Sequence, residues 1–336
     1  MEIAVSLIPV ILFLVFLFLL DSFKLVVGRL VVFSLTWGAL SALTAYIINS
    51  QIVGTVFSDS ISFIISSDIH SKYFAPFIEE SLKSLFIIYL ISKKRIGFMI
   101  DSAIYGFAIG AGFALVENIY YVRALSDPNI FIWIIRGFGT AIMHGGCTAI
   151  LAVILIGAKS RDIRSFLSHV YALAAAYIIH SSFNHFYVDP ILQTVGIIVL
   201  TPIIFYSIFH FNEKHLQQWM ELEFNSEVEL LKAINRGEML PTRAGEYLAS
   251  LKKQFTPETI FDMYCYIKLY LELSIKAKSN LLLKENDFPI VVEAETADKL
   301  AELAALRKSI GRVGEMVLSP LIRMNYRDLW KLNLLK

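Results

Sequence analysis

The sequence predicts an all-α polytopic membrane protein of about seven transmembrane helices, followed by a C-terminal soluble helical domain. Three observations carry that prediction. The chain is 56% hydrophobic and only 18% charged over its 336 residues, with a mean hydropathy of +0.62, whereas an average soluble domain is about a quarter charged. Apolar runs recur through residues 1–211, each close to the roughly 20 residues that a helix needs to cross the hydrocarbon core. From about Asn212 the texture becomes charged and amphipathic, with 18 basic and 18 acidic residues as far as Lys336. The sequence therefore divides into a membrane part, 1–211, and a helical domain, 212–336.

Seven segments read as spans: Ile3–Leu20, Leu25–Ile48, Phe74–Ile91, Ile100–Tyr121, Phe138–Gly157, Phe166–Phe186 and Ile191–Phe211. Lipid offers no partner to an unpaired backbone group, so each must be helical. The first lacks a basic leader, having only Glu2 before it, and no small-residue cleavage pattern follows, so it reads as a retained span. Ile52–Ser66 is apolar but broken by Asp59 and reads as an interfacial or re-entrant element. Gly106 and Gly110 form a small-xxx-small pair suited to close helix packing.

Basic residues orient the spans. Lys24, Lys93, Lys94, Arg95, Lys159, Arg161 and Arg164 follow the first, third and fifth spans, whereas the alternate loops hold Lys72 and Arg123 beside four aspartates. The prediction is an N-terminus outside and a cytoplasmic domain after the seventh span. In that domain Ser226 and Glu229 form a capping box before a short helix. Thr256-Pro257 opens a long helix running towards Asn286, and Glu295–Ile310 reads as another, stopped at Gly311. No chemistry is identifiable there, and no cytoplasmic partner. The net charge of +1 gives no nucleic-acid signature, which needs a basic stripe. Cys147 and Cys265 are too few and too distant for a disulfide framework.

Ionisable groups inside spans cost about 2.5–3.5 kcal/mol each and are functional by default. The carboxylates well inside spans are Glu79 and Glu80 in the third and Glu117 in the fourth; His144 joins them from the fifth and His180 from the sixth. Asn184 follows His180 by one turn on the same face. At roughly 1.5 Å per residue, all lie some 6–9 Å below the outer interface. Four consecutive antiparallel helices thus present polar groups at one level, which a single convergent site explains. A purely structural Glu79–Lys83 pair at i,i+4 accounts for Lys83 but leaves Glu80, Glu117 and both histidines over. Arg29 and Arg136 lie near span ends, where long cationic side chains snorkel.

This inventory fits hydrolysis by two routes. In one, a carboxylate acts as general base on water, and a histidine with an asparagine stabilises the oxyanion. In the other, two histidines and a glutamate, His144, His180 and Glu117, bind zinc and lower the pKa of its water. No His-Glu-x-x-His helix, Gly-x-Ser-Gly nucleophile or intramembrane aspartate pair is present. A different class, a proton- or cation-coupled transporter, also uses buried Glu and His, but a relay spreads its groups through the membrane's depth. A catalytically silent scaffold for a partner's transmembrane helix is the third reading.

The motifs resemble those of the PrsW family of intramembrane proteases. Glu79-Glu80 with Lys83 resembles its Glu-Glu-x-x-Lys motif, and Phe113 to Glu117-Asn118 its Phe-x-x-x-Glu-Asn motif. His144, and His180 with Asn184, resemble the third and fourth. The likeness covers roughly residues 70–190. It implies an endopeptidase that cuts membrane-anchored proteins near the outer face of a bacterial inner membrane, an anti-sigma factor being the best-known kind of substrate. The family is distantly similar to CAAX prenyl endopeptidases and Abi proteins. That relationship implies Glu79 as base, Glu117 assisting where the relatives place a histidine, and His180 with Asn184 as the oxyanion hole. Glu117 for histidine changes the charge of the site in the direction that favours a metal.

Overall fold

The apolar runs become helices throughout the computed structural model, which describes residues 2–21, 24–56, 68–124, 129–161, 163, 165–290, 295–322 and 326–335. Two compact units divide at Asn212/Glu213.

In the first unit, α1 is Glu2–Leu19, α2 Gly28–Val56 and α3 Ala75–Ser92, the last preceded by one π-helical turn, His70–Phe74. α4 is Met99–Ala124 and α6 Ser165–Asn184. Between them α5 runs over Ile130–Ser160, with a π-helical stretch at Ile135–Thr140. α7, Pro190–Asn235, begins here and continues past the boundary. Among the described residues, five helices are long and apolar enough to cross a membrane: α2, α4, α5, α6 and the first part of α7. α1 is apolar but shorter, and α3 carries Glu79, Glu80 and Lys83 within 18 residues. Most of Ile52–Ser66 lies outside the described residues.

Burial decides which helices form the centre. The most apolar window of α4 is 83% buried and that of α5 72%, against 28% for α2 and 17% for α7. The outer helices therefore turn apolar side chains such as Leu12, Phe33, Phe166 and Ile203 outward, as a lipid environment requires. The α4–α5 contact is close because of the Gly106/Gly110 pair. A Cβ on Gly106 would sit 2.6 Å from the Thr148 carbonyl oxygen, and one on Gly110 2.2 Å from that of His144. The small-residue stripe thus fixes the helix that carries His144.

The start of α4 is held by Asp101, fully buried, whose carboxylate accepts from the backbone N–H groups of Gly97, Phe98 and Ser102 at 2.8, 2.9 and 3.0 Å. Asn212 Oδ1 accepts from Met99 N at 2.8 Å.

The second unit contains α8 (Arg243–Ser250), α9 (Pro257–Glu285), α10 (Glu295–Leu318) and α11 (Tyr326–Asn333). Thr256 caps α9, its hydroxyl accepting from Thr259 N at 3.3 Å. Met263, Ile267, Tyr270 and Leu271 of α9 pack with Leu303, Ile310 and Leu318 of α10 into one core. Two expectations change. Gly311 does break α10, at φ 67° and ψ 178°, but helix resumes as far as Leu318. Ser226 starts no helix, because α7 runs through it without interruption; no Gly or Pro lies between Phe211 and Ser226 to end the preceding helix.

Candidate active site

Four helices bring the intramembrane polar groups together. α3 supplies Glu79, Glu80 and Lys83; α4 supplies Phe113, Glu117 and Asn118; α5 supplies Arg136, His144 and Thr148; α6 supplies His180. Lys83 is at the centre. Its side chain and that of Glu80 are both 0% exposed, and Nζ lies 2.8 Å from Glu80 Oε1, 2.9 Å from His144 Nδ1 and 4.0 Å from Glu79 Oε2. The Phe113 ring lies beneath it, with its centroid 3.9 Å from Nζ, so a cation–π contact completes the cradle.

Donor chemistry fixes the two imidazoles. An ammonium has only protons to give, so His144 Nδ1 accepts from Lys83, and Nε2–H donates to Glu117 Oε2 at 3.0 Å. A carboxylate only accepts, so His180 Nδ1–H donates to Glu80 Oε1 at 2.9 Å. In the neutral ring this leaves a lone pair on His180 Nε2, which stands 3.8 Å from Glu79 Oε2. The two rings meet edge to face, with centroids 4.6 Å apart. Thr148 Oγ1 approaches Glu80 Oε2 at 3.4 Å.

Arg136 belongs to this network, a correction to its reading as a snorkelling residue. Its guanidinium lies 3.7 Å from the centroid of the Tyr121 ring, Nε donates to Asn118 Oδ1 at 3.1 Å, and Nη2 is 3.4 Å from Glu117 Oε2. Asn118, fully buried, passes the tie on, its Nδ2 donating to the Ser6 carbonyl at 2.8 Å. The helix begins at Ile130, eight residues before the expected Phe138, because Asn129 Oδ1 caps it by accepting from Phe131 N at 3.0 Å. Arg136 is thereby inside the helix rather than ahead of it. An asparagine upstream of an apolar run was the available signal.

Asn184 stands apart from the hydrogen bonds of the cluster. Its Nδ2 donates to the Ser71 carbonyl at 3.0 Å, beside Ser181 Oγ donating to the Lys72 carbonyl at 2.7 Å. Both bonds fasten the end of α6 to the π-helical turn before α3. In this arrangement the Asn184 amide joins helices rather than facing the histidines.

A family model described as PrsW family intramembrane metalloprotease matches residues 28–208, more than half of the chain. The chain belongs to the PrsW family. It is therefore an integral membrane protease, a peptide hydrolase that works in lipid on membrane-protein substrates. Comparison with curated proteins and with solved structures gives no match.

A metalloprotease needs donors, and the residues present fit. One donor atom each from Glu79, His144 and His180 lies within 4.8 Å of the others. Glu79 Oε2 is buried and has no hydrogen-bond partner, and it faces the lone pair of His180 Nε2 across 3.8 Å. Two acceptors so placed call for a cation or a donor between them. Ligands about 2.0–2.2 Å from a tetrahedral zinc stand about 3.4 Å apart, close to that gap. The Nδ1–H of His180 on Glu80 is the carboxylate–histidine support that metal ligands commonly have. The grouping differs from the expected His144, His180 and Glu117: it is Glu79 that shares the space with both rings, while Glu117 is held by His144 Nε2 and Arg136.

Proposed function

We propose that this PrsW-family protease hydrolyses a peptide bond of a membrane-anchored protein at the Glu79/His144/His180 cluster. The observation that carries the reading is the buried, unbonded Glu79 Oε2 facing His180 Nε2 at 3.8 Å. Glu79 and His180 would hold a divalent metal, with zinc the best match to a Glu/His/His set. His144 would join through Nδ1 by exchanging Lys83, its Nε2–H staying on Glu117. Such an ion lowers the pKa of its water and polarises the scissile carbonyl.

The remaining roles belong to the chain's own side chains. Glu80 orients His180 through the Nδ1–H bond. Lys83 holds Glu80 and stands near Glu79, neutralising part of a cluster of three carboxylates. Glu117, the most exposed of the three at 24%, takes the proton of the attacking water and delivers it to the leaving amine. Arg136 and His144 hold its carboxylate. A metal-free route with Glu79 as base uses the same residues and remains the second reading, supported by the same unbonded oxygen.

Charge asymmetry of the loops supports an extracytoplasmic cut, an N-terminus outside and a cytoplasmic C-terminal domain. An anti-sigma factor in regulated proteolysis, in a bacterial inner membrane, is the substrate setting that the family suggests. The test uses the full chain in nanodiscs with candidate single-pass substrates. Wild type should cleave, and Glu79→Gln and His180→Ala should not, at unchanged thermal unfolding. Loss of cleavage with chelator and recovery with zinc selects the metal route, and insensitivity selects the glutamate route. Equal cleavage by all three proteins refutes the site.

A further inference from the structure

Among the described residues of the first unit, apolar grooves include two on the surface that faces lipid. One, of about 520 Å³, is lined by apolar side chains of α1, α5 and α7, among them Ile8, Phe13, Phe138 and Pro202. The other, of about 680 Å³, lies between α3 with its π-helical turn and α6, against Tyr73, Phe74, Phe77, Val170, Leu173 and Tyr177.

Two residues that line the second groove lie one helical turn from site residues. Phe77 precedes Glu80 by three residues and Tyr177 precedes His180 by three. Residues at i and i+3 are neighbours on a helix surface, so the partners of the Glu80–His180 hydrogen bond each lie one turn from a member of the Phe77–Tyr177 pair. Those two rings meet edge to face across the groove, with centroids 6.2 Å apart. Within one turn of α3 the surroundings pass from lipid-facing to sealed, since Phe77 is 53% exposed and Glu80 0%. The Ser181–Lys72 and Asn184–Ser71 bonds tie α6 to the same π-helical turn that supplies Tyr73 and Phe74 to the groove.

We propose that this groove is the lateral entry for the transmembrane segment of a protein substrate, with Phe77 and Tyr177 forming a gate that the segment displaces. The proposal rests on the protease reading above. A bilayer-anchored substrate arrives from the side, and α4 and α5, which form the centre, are covered. The occupant is a polypeptide rather than an acyl chain because Phe77 and Tyr177 of the groove lie one turn from Glu80 and His180 of the protease site. The groove also adjoins Tyr73 and the backbone of the π-helical turn, which suit a chain that must expose peptide groups before cleavage.

The experiment reads binding apart from cleavage. The full-length Glu79→Gln protein in nanodiscs carries benzoylphenylalanine in place of Phe77, Tyr177, Ile8 or Phe138, one position at a time. The probe is a biotinylated single-pass peptide with a Leu/Ala span of about 20 residues and an unstructured Gly/Ser flank. Labelling of the peptide should be about tenfold stronger from positions 77 and 177 than from 8 and 138, the ratio that a 1.4 kcal/mol preference gives. Equal labelling at all four positions, or preference for 8 and 138, overturns the proposal. So does capture of lipid rather than peptide at 77 and 177, which would make the groove a lipid site. Preference for 77 and 177 with a wild type that never cleaves sinks the protease site assignment and leaves the groove standing; cleavage without that preference does the reverse.

Discussion

Gly110→Ala tests whether close packing of α4 on α5 sets the catalytic geometry. The added Cβ would lie 2.2 Å from the His144 carbonyl oxygen and 2.6 Å from Gly145 Cα. These are backbone atoms, so no side-chain rotation relieves the clash. Ordinary contact begins at 3.4 Å, and the difference, about 1.2 Å, must come from moving α5 at the position of His144. Glu117 lies seven residues beyond Gly110 on the same face of α4. A shift of that size stretches the His144–Glu117 bond from 3.0 Å to about 4.2 Å, beyond hydrogen-bond range. A misplacement of about 1 Å costs on the order of 100-fold in rate, about 2.7 kcal/mol, and overpacking costs about 1–3 kcal/mol of stability. The assay is kcat/KM on a reconstituted single-pass substrate, with thermal unfolding alongside. Gly146→Ala is the control, because its Cβ meets nothing within 4 Å; it should behave as wild type. A Gly110→Ala enzyme within threefold of wild type, at equal stability, would refute the claim that this contact positions His144.

Three further outcomes follow from the same geometry. Lys83→Met leaves Glu80 buried without its ammonium partner and should destabilise the protein by about 3–5 kcal/mol, whereas Glu80→Leu with Lys83→Met should recover most of that loss; denaturant titration of both in micelles checks it, and a double variant no more stable than the single one counts against a self-compensating pair. Arg136→Gln should lower kcat with little change in KM, because the guanidinium holds Glu117 rather than substrate, and Arg136→Lys should restore part of the rate; an unchanged kcat would return Arg136 to a snorkelling role. Gly311→Ala places a Cβ on a backbone at φ 67° and ψ 178°, a region costing about 1–3 kcal/mol for other residues, so hydrogen exchange across Glu295–Leu318 in the full chain should speed up.

The helices and the polar level were legible because both depend on position along the chain. Apolar length marks a span, and counting from its end gives the depth of Glu79, Glu117, His144 and His180. Rotation about each helix axis was not legible, since it is settled by packing between helices. Hence by sequence Glu117 groups with the histidines as a metal ligand and Glu79 is left as base, and only the packed bundle turns Glu79 Oε2 towards His180. Arg136 was misread for a related reason. A cation near a span end looks the same whether it reaches water or turns inward, and the inward turn here depends on Asn118, Tyr121 and Glu117 on a different helix. Asn184 was placed by its spacing from His180, but its amide is drawn to a carbonyl of the π-helical turn before α3, a feature with no mark in the sequence.

The distribution of buried charge bears on the transporter alternative. A relay needs titratable groups that continue from the cluster through the bundle. Among the described residues, the buried carboxylates outside the cluster include Asp101 and Asp21, and both are committed to backbone N–H groups. Asp101 accepts three of them, and Asp21 Oδ2 accepts from Val26 N at 2.7 Å. The Tyr105 hydroxyl accepts from Val27 N at 2.8 Å. Between Asp101 and Glu117 the other side chains of α4 are Ser102, Tyr105 and a run of Gly, Ala, Ile, Leu, Val and Phe. Carboxylates that cap and fasten helix starts serve the fold, whereas within the cluster Glu80 and Glu117 are each bound by a cation and a histidine. Of the three cluster carboxylates, Glu79 is the one with a buried oxygen left without a hydrogen bond. That unbonded oxygen suits a metal ligand or a base at one fixed point better than a link in a chain of proton carriers.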